Sequence, residues 1–484
     1  MHEHTQPQHA PVAGKVWLVG AGPGDAGLLT LQAARLLARA EVVVYDALVG
    51  AGVRAMIPPE AERVDVGKRA GHHPVPQAQI HEVLVERARA GKRVVRLKGG
   101  DPFLFGRGAE ELEALWQAGV PAEVVPGVSS ALAAPAYAGI PVTHRDHASA
   151  LHIVTAHGQA GQDAAPDYGM LAGLDGTLVL MMGAARLDTL LEGLRKAGKD
   201  KDVPAALVSR GTTARQRCLR GTVGTLPEIA RAQGVETPAL LVVGSVAGRP
   251  DLDWHARRPL AGRRLVVTRP TERAGALADR LRDDGAEVVE LPCIRTRMLP
   301  GPLQALGGYD WLVFTSPAGV THFFGKLAEQ ERDIREIGAV RIAAVGPATA
   351  AALRERGLRV DHVPERFEVA AVGAGLSGRM LAVSAEEPVD MALDGGATLE
   401  RLAVYETLAV PVPFEPEDVD LLAFASASAV RAFHAACPGV RALAACIGPT
   451  TAQAAREAGY PVVVAEAATI DSLVECIREA MTCR

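Results

Sequence analysis

The chain has 484 residues, 48% hydrophobic and 22% charged, with a formal net charge of −5 at pH 7. That length and apolar content support two to four packed domains, and the negative balance excludes a general nucleic-acid binder. The six cysteines are scattered with no CxxC, which excludes a disulfide framework or a zinc site and points to reduced, cytoplasmic thiols.

Residues 1–13 are polar, carry His2, His4 and His9, and read as a disordered tail rather than a signal peptide or a metal site. No apolar run approaches the roughly 18 residues of a membrane span. Val16–Val19 predicts a strand running into VGAGPGD (Val19–Asp25), and an amphipathic helical pattern follows from Leu28 to Ala38. Gly20 and Gly22 match the first two glycines of a dinucleotide fingerprint. Asp25 takes the sixth place, where close helix–strand packing needs a small residue, and Pro23 stiffens the turn. The next strand, Glu41–Tyr45, ends on Asp46. That residue is a ribose ligand in the dinucleotide reading, or a helix cap in a purely structural one. Lys68 and Arg69 lie in the glycine-rich GKRAGHH, which suits carboxylate or phosphate recognition or simply a solvated loop.

The strand Arg93–Leu97 runs out into Gly99, Gly100, Asp101 and Pro102, at the carboxyl end where parallel sheets hold ligands. The glycines admit close backbone approach, and Asp101 can accept from an amine or hydroxyl. Arg107 and Glu110–Glu111 open a helix. Pro126 and Gly127 turn the chain, and Ser129 and Ser130 stand at a helix start as caps, ligand contacts or both. LMMG (Leu180–Gly183) and SRGTTARQR (Ser209–Arg217) again follow apolar runs. β-branched runs alternating with Ala/Leu/Arg-rich stretches predict α/β domains with largely parallel sheets. Gly248–Gly262, with two prolines and no periodicity, reads as a linker.

Beyond it, Leu265–Thr268, Trp311–Phe314 and Leu421–Phe424 predict strands. VFTSPAGVTHF (Val313–Phe323) resembles AFASASAVRAF (Ala423–Phe433), and AAVGPATAAALRERG (Ala343–Gly357) resembles ACIGPTTAQAAREAG (Ala445–Gly459). The order is kept, so this half predicts two similar α/β lobes. Its Ser/Thr/Gly junctions at helix starts suit a polyanionic ligand, or are ordinary caps.

VGAGPGD, YDALV, GKRAGHH, RLKGGDPFLFGRG, PGVSSALAAPAYAGIPVTHRD and TPALLVVGSV occur in this order over Gly14–Val246. This half resembles the uroporphyrinogen-III C-methyltransferases of the tetrapyrrole methylase family. The resemblance implies two lobes around a cleft, a homodimer, and S-adenosylmethionine as methyl donor. Pro23, Gly99, Gly100, Asp101, Leu104, Ser129, Ser130, Met182, Gly211 and Ala239 fall on donor-binding positions. Asp46 falls on the proton acceptor and Lys68 on the proton donor, with Arg69 and Arg107 as clamps for substrate carboxylates. Met181 departs from a frequent tyrosine.

The second half resembles uroporphyrinogen-III synthases, which use no cofactor. Tyr405 matches the family's active-site tyrosine, and Thr450 or Thr451 its hydroxyl near the closing rings. Thr268, Ser316, Gly346, Thr349 and Ser426 would line the cleft; Pro317 replaces a frequent asparagine. The resemblance implies crossing segments at Leu291–Leu299 and Val404–Pro413.

The expectation is therefore a two-lobed α/β methylase over 14–247 (lobes 14–127 and 128–247), a linker over 248–261, and a two-lobed α/β synthase over 262–484 (262–292 with 412–484, and 300–403). It would be cytoplasmic and metal-free, with tetrapyrrole small molecules as partners, no nucleic acid and no membrane. It would cyclise hydroxymethylbilane to uroporphyrinogen III and methylate that twice to precorrin-2, for sirohaem or cobalamin. Two rivals remain. One keeps the methyltransferase but makes the second half a non-catalytic tetrapyrrole-binding region. The other is an NAD-dependent dehydrogenase fused to a binding module.

Overall fold

The computed structural model describes residues 14–67, 75–156, 166–268, 271–367, 369–387, 391–393, 396–414 and 416–482. The tail with His2, His4 and His9, and the expected site residues Lys68 and Arg69, lie outside them. The chain divides into two compact units, residues up to Leu265 with Asp279–Glu290, and Val266–Ala278 with Leu291–Arg484.

The first sheet holds β1 (Lys15–Gly20), β2 (Val42–Tyr45), β3 (Glu62–Asp65), β4 (Arg93–Lys98) and β5 (Ala122–Val125). Its order is β3-β2-β4-β1-β5, and every pairing is parallel. Val19, Val43, Val95 and Leu97 pack with Leu37, Val53 and Ile57 in one core cluster. Val16, Leu18, Val42, Val44 and Val94 pack with Ile80, Leu84 and Leu115 in another. Side chains alternate between faces along a strand, so two covered faces explain the continuous apolar runs of these strands.

The second sheet holds β6 (Leu151–Thr155), β7 (Thr177–Met181), β8 (Pro204–Ser209), β9 (Arg217–Thr222) and β10 (Ala239–Val243), in the order β6-β7-β10-β8-β9. Only β6–β7 is parallel; β7–β10, β10–β8 and β8–β9 are antiparallel. This corrects the expectation of largely parallel sheets. The loop from Arg210 to Gln216 is too short for the crossover that parallel neighbours require. The stretch expected as a linker is partly docked: Trp254 Nε1 donates to Ala136 O at 2.8 Å, and its ring meets Tyr137 edge-on at 5.4 Å.

Further along come β11 (Arg264–Val267), β12 (Glu287–Glu290), β13 (Ile294–Met298), β14 (Trp311–Phe314), β15 (Arg341–Ala344), β16 (Arg379–Ala385), β17 (Thr398–Ala409), β18 (Leu421–Phe424), β19 (Leu443–Cys446) and β20 (Val462–Val464). They form sheets in the orders β12-β11-β18-β19-β20 and β13-β17-β16-β14-β15. The expected crossing segments carry β13 and the end of β17, paired antiparallel from Ile294↔Ala409 to Met298↔Tyr405.

The repeat recurs in backbone detail. Ser316 and Ser426 cap the helices Pro317–Glu329 and Ala427–Ala436 with φ −160° in both, accepting from Gly319 N and Ala429 N. Gly346 and Gly448 precede Pro347–Glu355 and Pro449–Glu457 with φ −173° and −172°. Pro317 occupies the first helical turn, where its missing N–H costs nothing and its fixed φ suits the helix.

Candidate active site

A cavity of about 1020 Å³ opens in the first half at the carboxyl ends of β1, β2 and β4. Of the expected donor-binding residues, Pro23, Gly99, Gly100, Leu104, Ser130, Met182, Gly211 and Ala239 line it, together with Asp46 and Arg107. Asp101 and Ser129 stand behind the wall. Asp101 Oδ1 accepts from Phe103 N and Leu104 N at 2.8 and 3.1 Å, and Oδ2 from Gly127 N at 3.0 Å. Its carboxylate shapes the loop instead of facing the cavity. Ser129 caps the helix Ser130–Tyr137 by accepting from Ala131 N.

The glycines are required by packing. A Cβ on Gly20 would lie 2.5 Å from Gly127 Cα and 2.7 Å from Gly100 O. Gly22 and Gly100, both at positive φ, exchange two backbone hydrogen bonds of 3.2 and 2.8 Å. Ala21 N donates to Lys98 O, and Asp25 N to Thr212 Oγ1. The Ala21, Gly22 and Asp25 amides of the loop are thus already bonded within the protein. The loop continues into a short 3₁₀ turn, Ala26–Leu28, and the α-helix begins only at Leu31, capped by Thr30. No helix N-terminus completes a dinucleotide cradle there, which removes the physical basis of the dehydrogenase reading.

Beside Asp46, with Gln77, Arg96 and Lys98 also bordering the cavity, lies a buried charge cluster that the sequence reading missed. Arg96 Nη2 is 2.6 Å from Asp46 Oδ1 and 3.2 Å from Glu111 Oε1. Glu111 Oε1 also accepts from Arg96 Nε at 3.3 Å, Lys98 Nζ at 2.8 Å and Gln77 Nε2 at 2.9 Å. Burial alone would push the Glu111 carboxyl up; Arg96 and Lys98 more than offset it and hold it below its usual value. Burial, then the neighbouring Arg96, lowers Lys98, with Glu111 opposing. The signal was in the sequence. Arg96 and Lys98 are two apart in a strand, so they share a face with Val94, and β4 sits between two strands where exposed lysines are not expected.

The cavity wall also holds strained backbone. Phe105, Arg107 and Met182 line it with φ of 54°, 58° and 58°, left-handed values that cost non-glycine residues about 1–3 kcal/mol each and gather at functional sites. Arg107 Nη2 is held at 2.6 Å by Glu110 Oε2.

In the second half, the Tyr405 hydroxyl and Ser316 Oγ are 2.9 Å apart. The Tyr405 ring stacks on His322 at 5.3 Å, and His322 Nε2 lies 2.8 Å from Thr296 Oγ1. His322 and Thr296 were not singled out in the sequence; His322 sits in the second turn of the helix that Ser316 caps. Thr268 is fully buried and its hydroxyl donates to Ala423 O at 3.2 Å. It ties chain segments together rather than lining a cleft. Thr349 and Thr451 are buried, whereas Thr450 is exposed at a helix start. A Cβ on Gly346 would lie 3.2 Å from Phe367 Cβ, and Ser426 serves as a cap. Among the described residues, no helix is long and apolar enough to cross a membrane and no group of three His, Cys, Asp or Glu is placed to hold a metal.

Residues 15–227 match the family of Tetrapyrrole (Corrin/Porphyrin) Methylases, and residues 275–475 the family of Uroporphyrinogen-III synthase HemD. The porphyrin biosynthesis protein HemD of Ruminiclostridium josui is 40% identical over 493 residues, spanning 96% of this chain and 98% of that protein. The uroporphyrinogen-III C-methyltransferase of Bacillus subtilis is 38% identical over 354 residues, 72% of this chain and 73% of that one. A solved structure of uroporphyrin-III C-methyl transferase from Thermus thermophilus, complexed with S-adenyl homocysteine, is 42% identical with a TM-score of 0.43, spanning 49% of this chain and 99% of that one. The chain belongs to the tetrapyrrole methylase family through its first half and to the uroporphyrinogen-III synthase family through its second.

Proposed function

We propose that this protein is a bifunctional enzyme of tetrapyrrole biosynthesis, cytoplasmic and homodimeric through its first half. The second half, over 262–484, closes hydroxymethylbilane to uroporphyrinogen III with inversion of the last ring. The first half, over 14–247, methylates that product twice to precorrin-2. The observation that carries the reading is the single cavity on which Asp46 and most of the expected donor-binding residues converge.

The cavity suits S-adenosylmethionine by size and chemistry. Its volume of about 1020 Å³ lies at the top of the range for small-ligand sites. Its wall mixes apolar Pro23, Leu104 and Met182 with the open backbone of Gly100, where a Cβ would meet nothing nearer than Ser130 N at 3.9 Å. When bound, the donor supplies an electrophilic methyl group from its sulfonium. The chain's work is alignment, worth several orders of magnitude when reacting atoms are held in line, and removal of a proton. A pyrrole carbon that gains a methyl leaves its ring system cationic; the proton that restores neutrality goes to the Asp46 carboxylate. Lys68 acts as the proton donor, and Arg69 and Arg107 hold substrate carboxylates. In the second half, hydroxide leaves hydroxymethylbilane, and the freed methylene bonds to the substituted carbon of the last ring. That carbon's original bond to its bridging methylene breaks, and the bridging methylene re-bonds at the ring's free carbon, whose proton leaves to complete the loss of water. Tyr405, with Ser316 beside it, offers its hydroxyl to that step, and the family likeness assigns a second hydroxyl there to Thr451.

Calorimetric titration of the full chain with S-adenosylhomocysteine and with NAD tests the donor assignment. Binding of the first and not the second is expected. Tight binding of NAD alone overturns it.

A further inference from the structure

Arg96 is 2% exposed in an interior strand of a parallel sheet. A buried cation is costly unless it is paired and fully hydrogen-bonded. Here the guanidinium is bracketed. Nη1 donates to Val44 O at 3.5 Å and Leu97 O at 3.3 Å, while Nε and Nη2 reach Glu111 Oε1. Glu111 is itself anchored through that same oxygen by Lys98 and Gln77; its Oε2 is buried with no hydrogen-bond partner. The remaining Nη2 contact goes to Asp46 Oδ1, whose carboxylate is 29% exposed and lines the cavity.

We propose that Arg96, gripped by Glu111, is a positioning residue for methyl transfer: it pins Asp46 Oδ1 so that Oδ2 presents to the substrate and takes its proton. This rests on the reading of Asp46 as proton acceptor. Arg96 itself borders the cavity, but a guanidinium stays charged and cannot relay the proton, so its part in proton removal runs through the carboxylate it holds. With Asp46 ionised, two cations, Arg96 and Lys98, balance two carboxylates, Asp46 and Glu111. Oδ2 carries no protein hydrogen bond among the described residues, which leaves it open to substrate.

The test is a double-mutant cycle in the full chain, with methylation of uroporphyrinogen III by S-adenosylmethionine as the rate and S-adenosylhomocysteine affinity as the control for an intact site. Arg96→Lys keeps the charge but not the fork. It is expected to lower kcat about tenfold to hundredfold, the scale of a misplaced catalytic group, with donor affinity unchanged. In the Asp46→Asn background the same change is expected to lower kcat no further. Glu111→Gln, nearly isosteric, is expected to behave the same way and stands in if the position 96 variant does not bind S-adenosylhomocysteine. An unchanged kcat, or equal losses with and without Asp46, overturns the proposal. If Asp46→Asn alone retains full kcat, the reading of Asp46 fails instead.

Discussion

The Tyr137 hydroxyl donates to Asp25 Oδ2 at 2.7 Å, across 112 residues of sequence. Asp25 Oδ1 accepts from Gly27 N, and the Asp25 amide donates to Thr212 Oγ1. The residue that spoils the dinucleotide fingerprint therefore ties the loop after β1 to Tyr137, at the end of Ser130–Tyr137, and to the loop after β8. Burial, reinforced by the Asp25 charge, raises Tyr137 above its ordinary value, so it remains a donor across the working pH range.

Tyr137→Phe deletes that bond and leaves a half-buried carboxylate oxygen short of a donor. It is expected to destabilise the first half by about 1–3 kcal/mol, read from the urea midpoint of its unfolding transition. An unshifted midpoint contradicts the tie.

Asp25→Gly restores the sixth glycine of the fingerprint. If the loop amides are committed as described, the variant loses stability and gains no affinity for NAD in titration. Acquired NAD binding would show that the cradle was only blocked by the side chain.

Asp46→Asn is expected to lower the methylation rate about 10²- to 10⁴-fold, the usual scale for a general base, with S-adenosylhomocysteine binding nearly intact. Equal loss of both would make Asp46 a structural residue of the cavity.

Much of this was readable in the chain, for identifiable reasons. Strands such as Trp311–Phe314 and Leu421–Phe424 were legible because both sheet faces are buried and their apolar runs are unbroken. The caps Ser316 and Ser426 were legible because a side-chain cap is a local device. Most residues of the cavity wall that were expected to bind the donor were reached through collinear motifs. The Arg96–Glu111 clamp was not, because its partners are 15 residues apart and meet only when a helix crosses the sheet. The mostly antiparallel second sheet was missed because apolar runs such as Thr177–Met181 and Ala239–Val243 do not encode strand direction. The role of Thr268 was missed because a buried hydroxyl bonded to Ala423 O reads in sequence like one at a junction.

Glu111 gives a pH signature. Its folded value is held below the ordinary glutamate value by Arg96 and Lys98, so as pH falls the unfolded chain takes up the proton first. The stability it contributes is present above about 4.5 and is lost as pH drops through the folded value. Urea unfolding of the wild-type protein is therefore expected to weaken more steeply on acidification than that of Glu111→Gln. Parallel pH curves contradict this.

Tyr405→Phe removes the hydroxyl 2.9 Å from Ser316 Oγ while the ring keeps its stack on His322. The variant is expected to stay folded, with thermal stability lowered by about 1 kcal/mol, and to release more of the uninverted uroporphyrinogen isomer from hydroxymethylbilane. A wild-type isomer ratio would return Tyr405 to the core.

The most direct measurement supplies the full chain with hydroxymethylbilane and S-adenosylmethionine and follows the absorption spectrum and mass of the product. The account predicts a tetrapyrrole carrying two added methyl groups, formed through the inverted isomer without any other enzyme. Accumulation of unmethylated or uninverted uroporphyrinogen, under conditions where S-adenosylhomocysteine still binds, would contradict it.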